Sequence, residues 1–111
     1  MKLPNADRAV VAPEKVRDYL LSPTHPVGRL KAAFFVVLGY SQEDWSQLQR
    51  HLLQIASEDA AVNGRFSRFG KKYEVPAMLT GPTGRSAKVL TVWIVRHGED
   101  APRFVTAMPG D

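Results

Sequence analysis

The sequence predicts an α+β fold: three N-terminal helices packed on one face of a mainly antiparallel sheet of three to four strands. Three observations carry this. Apolar residues recur at helical spacing through the first half of the chain. Past Ala56 the pattern shortens to the alternation of strands, among β-branched and aromatic residues. A length of 111 residues supplies one core, because burial becomes efficient only towards ~100–150 residues per unit. Residues 1–111 therefore read as one domain.

The elements follow in order. Val10 and Val11 form a brief extended piece. Pro13 suits the first turn of a helix, where its missing N–H needs no partner, and Val16, Tyr19 and Leu20 share one face until Ser22-Pro23 stops the segment. Thr24 to Arg29 is a tight entrance to a second helix carrying Leu30, Ala33, Phe34, Val37 and Leu38, ended by Gly39 as its C′ residue. Ser41 caps a third helix, with Asp44 three positions on and Tyr40 and Trp45 as a hydrophobic staple. Its buried stripe is Trp45, Leu48, Leu52 and Ile55. A polar stretch ending at Asn63-Gly64 leads to a strand over Lys72–Thr80, which Pro76 marks as an edge or bulged strand because it donates nothing to a ladder. Gly81-Pro82-Thr83-Gly84 is a turn. Arg85–Arg96 is apolar on both faces and so central, and Arg103–Met108 returns as a further strand after a turn over His97–Ala101.

Composition narrows the function classes. With 44% hydrophobic and 23% charged residues the chain is not of the disordered type. Its longest apolar run, Ala32 to Leu38, falls far short of the ~20 residues that cross a bilayer, and the N-terminus lacks the pattern of a signal peptide, which places it in the cytoplasm without a membrane partner. The absence of cysteine excludes disulfides and thiolate chemistry, and His25, His51 and His97 form no metal-ligand spacing. No GxGxxG, P-loop, HExxH or nucleophile elbow is present, and no cofactor is implied. The net charge of +4 is uneven. Between Arg65 and Arg103 eight lysines and arginines face Glu74, Glu99 and Asp100, so the excess lies in the second half. Clustered cations of this kind fit a phosphate backbone or an acidic protein, or an ordinary solvated face.

Two groups of residues could carry chemistry. His25, at the entrance to the second helix, has Arg29 and Lys31 close behind it. Histidine ordinarily titrates near neutrality, and an imidazole beside cations is what acid–base cleavage of RNA needs: one group takes the 2′-hydroxyl proton while others stabilise the phosphorane, with no metal. The plainer reading makes His25 a loop residue that caps backbone amides. On the sheet, Lys71, Lys72 and Tyr73 form a basic-aromatic cluster, and Lys88, Arg103 and Thr106 project from neighbouring strands, able to grip a phosphodiester or simply facing water. Thr91, Trp45 and Trp93 read as core, and His51 and His97 as solvated.

Leu3-Pro4-Asn5-Ala6, Pro13-Glu14-Lys15, Tyr19-Leu20-Leu21, His25-Pro26-Val27-Gly28-Arg29 with Lys31-Ala32 and Phe35, and Leu38-Gly39-Tyr40 form one half of a pattern. Tyr73, Leu79-Thr80-Gly81-Pro82, Gly84-Arg85, Thr91-Val92-Trp93-Ile94 and Pro102 to Ala107 form the other. Together they resemble a bacterial domain of unassigned function that occurs as small stand-alone proteins and as the C-terminal module of polymorphic-toxin-type proteins. Ala12 departs from it, standing where the family carries an acidic residue before Pro13. The resemblance implies a toxin of a toxin–antitoxin or toxin–immunity pair, with a small cognate antitoxin or immunity protein as partner. The helices-then-sheet order is also similar to the barnase, EndoU, colicin and RelE-like ribonucleases, a fold-level analogy. It implies a metal-independent endoribonuclease acting on RNA, with His25 as general base or acid, Arg29 and Arg103 on the scissile phosphate, and Lys31, Tyr73 and Thr106 orienting the substrate. The alternative is a non-catalytic basic module that binds nucleic acid or an acidic protein partner, in an antitoxin, immunity or structural role.

Overall fold

The computed structural model describes residues 1–110, and of Asn63 the backbone alone. A 3₁₀ turn at Ala6–Arg8 precedes the first helix, α1 (Pro13–Lys15), which Pro13 opens and which runs directly into a π-helical turn at Val16–Leu20. Val16 and Leu20 are fully buried, and the side chain of Ala12 caps nothing. Helix α2 (Arg29–Val37) ends as the sequence predicts. Gly39 adopts φ 103°, and the amides of Gly39 and Tyr40 return to the carbonyls of Val36 and Phe35, the paired bonds of a Schellman motif.

Helix α3 (Trp45–Glu58) buries Leu48, Leu52, Ile55 and Ala56 and half-buries Trp45. Its start differs from the expected cap. Ser41 Oγ does accept the Asp44 amide, at 3.2 Å, but regular helix begins only after Asp44, so this bond closes a preceding turn. No helix among the described residues is long and apolar enough to cross a membrane.

The second half is an antiparallel meander of four strands: β1 (Val62–Ser67), β2 (Gly70–Thr80), β3 (Ser86–Arg96) and β4 (Arg103–Pro109), in that spatial order. The helices cover one face, onto which β2 and β3 project Tyr73, Val75, Leu79, Val89, Thr91 and Trp93. Thr91 is a satisfied core hydroxyl: Oγ1 donates to the Val75 carbonyl and accepts from Trp93 Nε1, both at 2.8 Å. Val10 joins the edge of β4 through one parallel bridge to Arg103.

Two sequence expectations are corrected. The stretch through Asn63-Gly64 is strand β1, which pairs with β2 through a bulge between Asn63 and Phe66. Gly64 is required there because a Cβ would meet the Lys72 carbonyl oxygen at 2.1 Å, so a residue that reads as a turn marks a close approach of two strands. Strand β2 is not an edge strand, since it lies between β1 and β3. Pairing with β1 reaches only as far as Glu74, so Pro76 falls where β2 has β3 as its sole neighbour, and its missing N–H is tolerated.

Candidate functional site

Three elements bring polar side chains together beside β4. The π-helical turn carries Tyr19, and such turns recur at functional sites because they displace one residue from the regular helical face. The segment from His25 to Gly28 crosses directly over this turn. Gly28 is what allows it, because a Cβ there would lie 1.8 Å from the Tyr19 carbonyl oxygen. Helix α2, which follows, supplies Lys31 from its first turn. Strand β4 supplies Thr106 beside a bulge at Val105: Val92 pairs with Thr106 while Trp93 pairs with Phe104. Bulges re-aim neighbouring side chains in this way.

The Lys31 ammonium donates to Tyr19 Oη at 2.8 Å and to Thr106 Oγ1 at 2.6 Å, and the two hydroxyls are themselves 2.9 Å apart. The His25 ring meets Tyr19 edge-on, with centroids 5.0 Å apart. Its Nδ1 accepts the amides of Val27 and Gly28 at 3.0 and 2.9 Å, so the ring proton of neutral His25 is assigned to Nε2. The plainer sequence reading of His25 as a backbone cap at the entrance to α2 is therefore observed, and the cap holds the ring against Tyr19. Tyr19, His25 and Thr106 line an open cleft of about 630 Å³ whose rim carries Lys15 and the carboxylates of Glu14 and Asp18.

Burial raises the Tyr19 phenol, but hydrogen bonds from Lys31 and Thr106 and the charges of Lys31 and Lys15 outweigh it, and the phenol ionises below its ordinary value. In the ionised form Tyr19 Oη accepts from both neighbours, an arrangement that suits a proton acceptor. Lys31 spends two of its three N–H donors on the hydroxyls, and the third remains for an incoming oxygen. His25, with Nδ1 occupied by backbone, offers an N–H from Nε2 and so suits donation rather than proton abstraction. The cluster combines one acid–base group with fixed donors for developing negative charge.

Of the residues predicted from sequence, His25, Lys31 and Thr106 are thus brought together. Arg29 stands exposed at the start of α2 and makes no ion pair among the described residues. Arg103 is bound to Glu99, with Nε to Oε1 at 2.9 Å. Tyr73 is corrected as a substrate-orienting group: it sits opposite Trp93 on the helix-covered face of β2, with its ring in the core. Tyr19 is the residue sequence reasoning missed. It was placed on the apolar face of the first helix, and the signal that could have found it is a phenol on an aliphatic face, whose hydroxyl needs a partner.

His51 is corrected too. It is half-buried on α3 rather than solvated, and its Nδ1 lies 2.6 Å from Tyr40 Oη beside a recess of about 210 Å³. Burial pushes the Tyr40 phenol up to about 12 and lowers His51, with Arg50 adding to the latter.

A family model described as Domain of unknown function (DUF6883) matches residues 2–111. No curated protein matches the chain. Among solved structures it is similar to a chain of a contact-dependent growth inhibition toxin–immunity protein complex from Klebsiella pneumoniae 342, with a TM-score of 0.70 and 19% identity, covering 91% of this chain and 99% of that one. At that identity the likeness is one of fold.

Proposed function

The chain belongs to the DUF6883 family, and on that premise we propose that it is the toxin of a toxin–immunity or toxin–antitoxin pair, acting as a metal-independent endoribonuclease. The observation that carries this reading is the Lys31 ammonium bonded to both Tyr19 Oη and Thr106 Oγ1, with the His25 ring edge-on to Tyr19. Tyr19 takes the proton of a ribose 2′-hydroxyl, and the oxygen attacks the adjacent phosphorus. Lys31 and Thr106 stabilise the charge on the phosphorane oxygens. His25 Nε2–H hydrogen-bonds the departing 5′-oxygen, which takes its proton from water, leaving a 2′,3′-cyclic phosphate. Arg29 is an outer phosphate contact, and Arg103 serves as one by exchanging Glu99 for phosphate. The fold shared with a chain of a toxin–immunity complex supports the pairing with a cognate inhibitor, a small protein that would occlude the cleft.

Induction of the intact chain in a bacterial host is expected to arrest growth and yield discrete RNA fragments, with both effects lost in Lys31→Met and His25→Ala. Normal growth with intact RNA would turn the reading to the immunity member of such a pair or to a non-catalytic basic module. The basic second half of the chain favours the latter as the second reading.

A further inference from the structure

The turn between β1 and β2 places aromatic and cationic side chains in a pattern that neither the core nor the cleft uses. Phe66 is 77% exposed and Phe69 61%, the former as open to solvent as any large apolar side chain in the core's surroundings. Each ring carries a cation: Lys71 Nζ lies 5.1 Å from the Phe66 centroid, and the Arg68 guanidinium 4.9 Å from that of Phe69. Arg65, Lys72 and Arg96 stand exposed around the strand edge, on the other face of the hairpin and the adjoining end of β3. None of these five cations forms an ion pair among the described residues: Glu99 is taken by Arg103, Asp100 by Arg8, and Glu74 lines a recess with Arg65 and Lys72 without pairing to either.

The turn itself is closely hydrogen-bonded. Ser67 Oγ donates to the Gly70 carbonyl and accepts the Phe69 amide, while His97 donates from Nε2 to the Ser67 carbonyl and from its amide to the Phe69 carbonyl. The backbone that bears the rings is therefore tied to the end of β3 before any ligand arrives.

We propose that this hairpin docks single-stranded RNA, with bases stacking on Phe66 and Phe69 and phosphates meeting Arg65, Arg68, Lys71 and Lys72. Every base offers a π-face to an aromatic ring, and interleaved cations follow the phosphates between stacked bases. The centre of a protein–protein interface is instead depleted of charge, whereas here each exposed ring has a cation on its face. The inference rests on the reading of RNA as substrate, and gives the strand a second anchor across the sheet from the cleft.

Its test is fluorescence anisotropy with the intact chain and a fluorescein-labelled 2′-O-methylated oligouridylate of about 12 nucleotides, within the usual site sizes for such surfaces. The probe has no free 2′-hydroxyl and cannot be cut by the proposed chemistry. Phe66→Ala and Phe69→Ala should each weaken binding about tenfold. Phe66→Trp and Phe69→Trp should retain it, and Val36→Ala, at an exposed position of α2 outside both the cleft and the hairpin, should leave it unchanged. Affinity should fall steeply with salt, less so in Arg65→Ala. Wild-type affinity in the two alanine variants would overturn the inference, as would failure of the wild type to bind. So would alanine variants that keep RNA affinity while losing an acidic protein partner. Cleavage of ordinary RNA that is indifferent to the two rings would leave the ribonuclease reading standing without this platform, and ring-dependent binding without cleavage would do the reverse.

Discussion

Replacing Lys31 by methionine separates a catalytic cluster from a structural pin. The variant loses two charge-assisted hydrogen bonds, to Tyr19 and to Thr106. Fully buried, such bonds contribute about 1.5–3 kcal/mol each. Lys31 is only half-buried, and solvent screening brings the pair to about 1–2 kcal/mol in total. Tyr19 and Thr106 stay 2.9 Å from each other, so neither oxygen is orphaned. The expected loss in Tm is about 5–10 °C for a domain of this size. Turnover should fall much further, by about 10²–10³-fold, because a proton acceptor and a charge-stabilising donor are disabled together.

The same substitution raises the ionisation of Tyr19. In the wild type the folded phenol ionises below its unfolded value, so between the two the unfolded chain holds more protons and stability rises with pH. Without Lys31 the phenol loses its hydrogen bond and charge, keeps those of Thr106 and Lys15, and ionises higher than in the wild type, so the rise of stability with pH contributed by this residue shrinks. Tyrosinate absorbance, titrated for both proteins beside their thermal melts, reads the change. A Tyr19 titration unaltered by the substitution would refute the coupling of Lys31 to the phenol. A variant that is destabilised as calculated yet fully active would refute its role in the chemistry.

Three further outcomes follow from the packing. Gly28→Ala puts a methyl 1.8 Å from the Tyr19 carbonyl oxygen, and the backbone shift it forces should destabilise by about 1–3 kcal/mol or more and misplace His25, read as a lower Tm with loss of growth arrest. Thr91→Val strands both the Trp93 indole N–H and the Val75 carbonyl in the core, at about 1–3 kcal/mol in urea unfolding. His51, lowered first by burial and then by Arg50, favours the folded state fully above its unfolded value near ~6.5, and that contribution is lost as pH falls through the folded value. Melts taken downward from neutrality should therefore weaken, and His51→Gln should flatten the slope.

The helices and the two long strands were legible because periodicity reports directly which side chains face a core. Gly39 could be placed for the same kind of reason, since a left-handed residue at a helix end is a local requirement. Strand β1 was not legible: its Gly64 and bulge copy the composition of a turn, and only the nearness of Lys72 shows why glycine is there. Three of the four residues of the candidate site could be read from side-chain chemistry. His25 and Lys31 lie close in sequence, and Thr106 is a hydroxyl on a strand with few others. What joined them was invisible, because a π-helical turn and a bulge at Val105 rotate Tyr19 and Thr106 to meet one lysine. Tyr73 failed for the complementary reason: alternation says that a strand has two faces, and the one bearing Tyr73 proved to lie under the helices.

The most direct measurement is incubation of the purified chain with bacterial RNA in excess chelator, followed by gel analysis and end-group chemistry of the products. The account predicts discrete fragments ending in 2′,3′-cyclic phosphate from the wild type, and intact RNA from Tyr19→Phe and Lys31→Met preparations that are folded by circular dichroism. Intact RNA with the wild type, or equal cleavage by all three proteins, would contradict it.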